Sequence, residues 1–339
     1  MAKKKEINEE ISNEEKLNLL RKDLEKKFGK GALIGGENFK AETEVIPTGS
    51  LGLDLALGIG GLPKGRIVEI VAEESCGKTT QAIHVIAELH KSNSQAMAAF
   101  IDAEHAFDRN YAKNLGVDLN RLEISQPSSG EEALNIVEYL LDSNLFTVIV
   151  VDSVAALVPQ SEIDGDIGDP SMGKHARLMS QAMRILTSKT NKSNTLLIFI
   201  NQFRSKIGVM FGDNRTPTGG NALKFYASIR IEMSRSTTNS NSILEGETKL
   251  GNLIKLKVIK NKLAPPFRTA EYYIMYGTGI NKIKEIIDLA DSMEIISIRG
   301  NTISYMENKY TLGDFETLLD DNEEFFMELK NKIINGYNK

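Results

Sequence analysis

Short, continuous apolar runs alternate with helical stretches through the middle of this chain. The first run begins at Ile67 and leads into a loop of small residues. A stretch with Ile83, Ile86 and Leu89 on one helical face follows it. Residues 98–102 read as the next strand. Residues 130–142 read as a helix carrying Ala133, Ile136, Val137 and Leu140 on one face. Residues 146–151 read as a buried strand, 175–190 as a helix, and 196–200 as another buried strand. Unbroken apolar strands alternating with helices predict an α/β fold with a parallel sheet covered on both faces. Beyond Asn221 the pattern changes to strands at 227–233, 253–259 and 270–275.

The ends of the chain read differently. Leu17, Leu20, Leu24 and Phe28 recur at helical spacing near the N-terminus. A helix this short needs a docking surface, either on its own domain or on a neighbouring subunit. Gly277-Thr278-Gly279 marks a boundary before a small α/β tail. The expected organisation is a helical arm and linker over 1–42, a core over 43–278, and a small C-terminal domain over 279–339. Two segments, 163–174 and 203–221, break the alternation and are rich in Gly. Loops of this length are functional or disordered.

Candidate chemistry begins where the first strand meets the first long helix. Glu74-Ser75-Cys76-Gly77-Lys78-Thr79-Thr80 occupies the strand–loop–helix junction that a phosphate-binding P-loop requires. The helix N-terminus offers unpaired N–H groups to a phosphate. Lys78 is placed to reach the β- and γ-phosphates, and the Thr79 hydroxyl to ligate Mg²⁺. The motif is imperfect, because Ala72 stands where the pattern has Gly, and Ala tolerates a positive φ poorly. Asp152 ends an apolar strand and fits a carboxylate that holds Mg²⁺, with a helix N-cap as the alternative. Glu104, just past a neighbouring strand, fits a residue orienting the attacking water, or a solvated loop acid. Gln202 fits a γ-phosphate sensor at the start of the second loop, or a plain turn.

Composition narrows the classes. No apolar run is long enough to span a membrane, and no secretory leader is legible. Cys76 is the only cysteine in 339 residues, so there is no intrachain disulfide, and a cytoplasmic protein is expected. Its place beside Lys78 at a helix N-terminus suggests an activated thiol, and burial is the alternative. The net charge of −5 argues against a general nucleic-acid binder. Locally the balance reverses. Between Pro170 and Gly212 stand Lys174, Arg177, Arg184, Lys189, Lys192, Arg204 and Lys206, with no acidic residue. Ile207, Met210 and Phe211 add apolar groups able to insert between bases.

The ordered segments Asp102-Ala103-Glu104-His105-Ala106, Val150-Val151-Asp152-Ser153, Asn201-Gln202, Gly208-Val209-Met210-Phe211-Gly212, Thr218-Gly219-Gly220-Asn221 and Lys260-Asn261-Lys262 resemble the bacterial RecA recombinase family over about residues 15–280. The resemblance implies a RecA-type core that binds ATP and Mg²⁺. It further implies a helical filament on single-stranded DNA, strand exchange with double-stranded DNA, DNA-dependent ATP hydrolysis, and promotion of repressor self-cleavage in the SOS response. By the same resemblance Glu104 is the catalytic glutamate and Gln202 the nucleotide switch. Asp108, Tyr111 and Tyr276 lie against the nucleotide. Lys260 and Lys262 reach the ATP of the adjacent subunit. Met172, Arg177, Arg204, Ile207, Phe211, Gly219, Gly220 and Asn221 belong to the DNA-binding loops. Lys224, Phe225 and the helix bearing Leu17, Leu20, Leu24 and Phe28 contact the neighbouring subunit. Ala72, Glu73 and Cys76 depart from the family P-loop. That departure leaves a second reading, a DNA-binding filament with weak turnover, and a ring-forming motor of the same fold is a third. The tail fits the family poorly over 291–312.

Overall fold

The computed structural model describes residues 12–29, 31–38, 43–166, 169, 173–205, 215–236, 242–246 and 248–337. The chain divides into two units, Met1–Thr43 and Glu44–Lys339. In the first, the helix Asn13–Phe28 starts at a capping box: Ser12 Oγ accepts from Glu15 N at 3.2 Å, and the Glu15 carboxylate accepts from Ser12 N at 3.0 Å. No residue of this helix is buried, and Phe28 is 74% exposed.

The second unit is built on one large, twisted sheet. Its order runs Gly279–Ile280, Thr269–Met275, Thr248–Asn261, Ile229–Arg235, Ile67–Ala72, Leu196–Ser205, Phe146–Asp152, Met97–Asp102 and Leu122–Ser125. Ile67–Ala72 pairs in parallel with both neighbours, and the strands from there to Leu122–Ser125 are all parallel. The strands beyond Ile229–Arg235 are antiparallel.

Alternation along each strand divides the core in two. Val68, Ile70, Val148, Val150, Ile198 and Ile200 face one cluster with Ile83 and Ile86 of the helix Lys78–Ser92. Ile149, Val151, Leu197 and Phe199 face the other, against Gly130–Ser143 and Lys174–Lys192. Both faces are dry, so these strands carry unbroken apolar runs. A third cluster joins Leu55 to Ile286, Phe315, Leu329 and Ile333 of the tail. The tail also holds a three-stranded antiparallel sheet, Ser297–Arg299, Thr302–Tyr305 and Asn308–Thr311.

The two irregular segments are shorter than expected where they are described. Lys174 already opens a helix behind Gly173, whose φ is +80°. Leu196–Ser205 runs on past the predicted strand, and Phe203, Arg204 and Ser205 pair with Pro217, Thr216 and Arg215. Backbone pairing at the stems, which periodicity does not report, extends the strands. Met172, Lys206, Ile207 and Phe211 lie outside the described residues. Among the described residues no helix is long and apolar enough to cross a membrane.

Candidate nucleotide site and its link to the second loop

Parallel register brings the chemistry to one edge of the sheet. Ala72 is level with Gln202, and Asp102 is level with Asp152. The carboxyl ends of four adjacent strands therefore open together, where ligands bind in such sheets. There Glu74, Ser75, Cys76, Gly77, Lys78, Thr79, Glu104, Asp152 and Gln202 line a cavity of about 130 Å³.

The P-loop departs from its expected strain. Ala72 is a fully buried strand residue, and its backbone does not take a positive φ. The left-handed positions are Ser75 at +58° and Gly77 at +79°. The left-handed backbone at Gly77 favours glycine, and a Cβ there would lie 2.3 Å from Ile274 Cδ1 and push that side-chain end aside. The concern over Ala72 is thereby corrected, because the strand continues through that residue before the loop begins. The expectation of an accessible thiol is corrected too. Cys76 is buried within the apolar core, and its Sγ donates to Glu74 O at 3.7 Å. The loop turns that side chain towards the core.

Lys78 is buried, and its Nζ donates to Glu73 O at 2.7 Å. Burial pulls its ammonium below the usual lysine range, with Cys76, Asp152 and Glu104 opposing. Thr79 Oγ1 donates to Asp152 Oδ2 at 2.6 Å. Burial pushes the Asp152 carboxyl up to about 6, against the Thr79 hydrogen bond, and the nearby Glu104 charge pushes it the same way. A hydroxyl and a carboxylate side by side are hard oxygen donors of the kind Mg²⁺ takes, and its charge would offset the Asp152–Glu104 repulsion. The residues present therefore fit a magnesium-bound triphosphate.

Glu104 stands across the cavity. Its Oε1 accepts from Ser153 Oγ and, at 3.1 Å, from Gln202 Nε2. The turn that carries it is fixed by Asp102, which accepts from Ala106 N and Phe107 N, both at 3.1 Å, and from Gln126 Nε2 at 2.8 Å. Ser153 and Asp102 were missed as site residues. Asp102 showed only as a strand-end acid beside Glu104.

Other expected residues lie around this centre. Tyr111 OH and Thr80 Oγ1 share a hydrogen bond at 3.1 Å, and Asp108 caps the helix Arg109–Asn114. Tyr276 is 57% exposed, is not among the cavity-lining residues, and accepts from Asn252 Nδ2 at 2.6 Å. Lys260 and Lys262 do not line the cavity of their own chain. Lys260 Nζ donates to Lys224 O at 2.6 Å and Phe225 O at 2.9 Å, and Lys262 Nζ donates to Phe225 O at 3.4 Å. Burial and the charges of Lys262 and Arg230 bring Lys260 down to about 8. Phe225 beside them is 72% exposed.

On the opposite side of Gln202 stands the end of the second loop. Gly219 has φ +76°, and a Cβ there would lie 3.0 Å from Val154 Cγ1 and 3.1 Å from Met179 Cγ. Only glycine lets this turn seat on the helix Lys174–Lys192, and Asn221 follows it exposed. Arg177 is exposed on that helix. Not every cation of the basic run is available, since Lys189 pairs with Glu138 at 2.8 Å and Asp142 at 2.5 Å.

Comparison with known proteins agrees with this geometry. Residues 15–281 match the RecA N-terminal domain family. The chain is 53% identical over 329 residues to Protein RecA of Porphyromonas gingivalis, covering 95% of each chain. It is 52% identical over 335 residues to Protein RecA of Bacteroides thetaiotaomicron, covering 97% of this chain and 100% of that one. It is 51% identical over 338 residues to Protein RecA of Chloroherpeton thalassium, covering 97% and 93%. Matched by the family model over residues 15–281 and by relatives 51–53% identical over nearly the whole length, the chain belongs to the RecA family.

Proposed function

We propose that this chain binds ATP with Mg²⁺ at the Lys78–Asp152 cavity and hydrolyses it there when single-stranded DNA occupies the 203–221 segment. At the coarser level the family assignment stands by itself. The protein is a DNA-dependent ATPase of recombination and DNA repair that binds DNA as a filament.

The observation that carries the finer reading is the Glu104–Gln202 hydrogen bond at 3.1 Å, across the cavity that Lys78, Thr79 and Asp152 share. Lys78 would meet the β- and γ-phosphates, and Thr79 and Asp152 would hold the cation. Magnesium supplies charge neutralisation at the phosphate oxygens when bound. Glu104 orients and deprotonates the attacking water, and Ser153 fixes its carboxylate. Gln202 leaves Glu104 to meet the γ-phosphate, and as the residue before the loop stem it carries that displacement towards DNA.

The surrounding groups fit an intersubunit site. Half-buried Lys260 and Lys224 lie beside exposed Lys262 and Phe225, an arrangement that supports the reading of the two lysines Lys260 and Lys262 as cations offered to a neighbour's nucleotide. The exposed stripe of Asn13–Phe28 supplies an apolar face for the same neighbour. Arg177, Arg204 and Asn221 face DNA, with Met172, Lys206, Ile207 and Phe211 completing the loops. Strand exchange with double-stranded DNA, promotion of repressor self-cleavage and a cytoplasmic location belong to the same reading.

Gln202→Ala tests it. Single-stranded DNA should no longer raise ATP hydrolysis in this variant, although nucleotide and DNA each still bind. Stimulation equal to wild type would refute the role.

A further inference from the structure

Glu69 is a charge in the middle of an otherwise apolar strand, and it is 0% exposed. A buried carboxylate needs full pairing. Oε2 accepts from Arg230 Nε, and Oε1 accepts from Asn201 Nδ2 at 2.8 Å. Those partners come from the two strands that flank Ile67–Ala72, so Glu69 ties three parallel strands together.

Asn201 is also 0% exposed. Its Nδ2 gives a second hydrogen bond to Thr218 O at 3.2 Å. Its Oδ1 accepts from Thr218 Oγ1 at 2.5 Å and from Gln202 N at 2.8 Å. Both donors and both acceptor positions of the amide are therefore filled. Thr218 N closes the ring by donating to Gln202 O at 3.1 Å. The residues that enter and leave the 203–217 segment are thus held to one amide. That amide is held to a buried charge on the strand that runs into Lys78.

We propose that Glu69, Asn201 and Thr218 form a positioning clamp that makes the two stems of the DNA-facing segment move as one body with Gln202. This rests on the assignment of Gln202 as nucleotide sensor and of 203–221 as a DNA segment. Displacement of the Gln202 side chain from Glu104 strains the Gln202 backbone, whose N–H and carbonyl are both tied into the clamp. The strain passes to Thr218 and on to Gly219 and Gly220 at the far stem, instead of being absorbed within the loop. The Glu69–Arg230 pair keeps Asn201 fixed to the sheet, as a stationary pivot about which Gln202 and Thr218 shift together.

The test compares wild type with Glu69→Gln, Thr218→Val and Thr218→Ser. The readout is the affinity for an oligothymidylate by fluorescence anisotropy, with a non-hydrolysable ATP analogue and with ADP, and thermal unfolding alongside. Glu69→Gln sets an amide N–H₂ against another donor. Thr218→Val removes one hydroxyl at constant shape, and Thr218→Ser restores it. The ratio of the two affinities should fall about tenfold in Glu69→Gln, within the usual range of coupling between sites, and fall in Thr218→Val. Thr218→Ser should keep the wild-type ratio. An unchanged ratio in folded Thr218→Val and Glu69→Gln overturns the clamp, and so does equal weakening in both nucleotide states. If Glu69→Gln fails to fold, the Thr218 pair decides. A wild type whose DNA affinity ignores nucleotide overturns the site assignment itself, and the clamp with it.

Discussion

Replacing Glu104 with Gln separates chemistry from binding at this site. Oε1 of the residue accepts from Ser153 Oγ and Gln202 Nε2, and an amide oxygen can accept both. Glu104 is exposed, so the change should shift stability by no more than about 0.5 kcal/mol. The carboxylate proposed to take the water proton is lost. A positioned general base contributes about 10²–10⁴-fold, which corresponds to about 3–5 kcal/mol of barrier. The assay is ATP turnover at saturating single-stranded DNA, beside equilibrium binding of a fluorescent ATP analogue. Turnover should fall by that factor while nucleotide and DNA affinities stay close to wild type. Turnover within a few-fold of wild type would refute the role, because no other carboxylate on this cavity is free of the Thr79 pairing except Glu74 on the loop itself.

Three further outcomes follow from the same geometry. Lys78→Ala should weaken ATP binding about 10–100-fold, since it removes a charge-assisted contact, and wild-type affinity by calorimetry would remove Lys78 from the phosphate site. Asp152 stands raised to about 6 by burial, so its contribution to folding is complete below its ordinary value of 3.8 and is lost as pH rises through about 6. Cation binding needs the ionised form, so affinity for magnesium nucleotide should fall as pH drops below about 6. Asp152→Asn should lack that dependence, and an identical pH profile in the variant would contradict it. Cys76 should react slowly with a maleimide in the native protein, and rapidly once unfolded, because its thiol is buried. Fast native labelling, read by mass, would contradict the inward orientation.

The parts of the site legible in the sequence were those that a single stretch of chain determines. Lys78 and Thr79 follow from the strand–loop–helix junction, and Asp152 from a run of four apolar residues before a carboxylate. Glu104 and Gln202 were legible as strand-end polar residues, but their contact depends on the register of strands 98 residues apart in their side chains' origins. Ala72 was misread because a motif does not say where the strand stops. Cys76 was misread because spacing does not say which way a loop side chain turns. Glu69 was visible as a lone charge in an apolar strand, yet its partners, Arg230 and Asn201, come from strands brought alongside only by the fold. The small sheet over Ser297–Thr311 escaped periodicity because its strands are three or four residues long and its turns use left-handed Gly300 and Met306.

With Ala72, Glu73 and Cys76 in place, this P-loop should still support DNA-dependent turnover. Its most direct test is the rate of phosphate release from Mg-ATP by the wild-type chain, with and without single-stranded DNA. Hydrolysis should rise with DNA and saturate as the DNA is covered. Tight ATP binding with no phosphate release at any DNA concentration would contradict it.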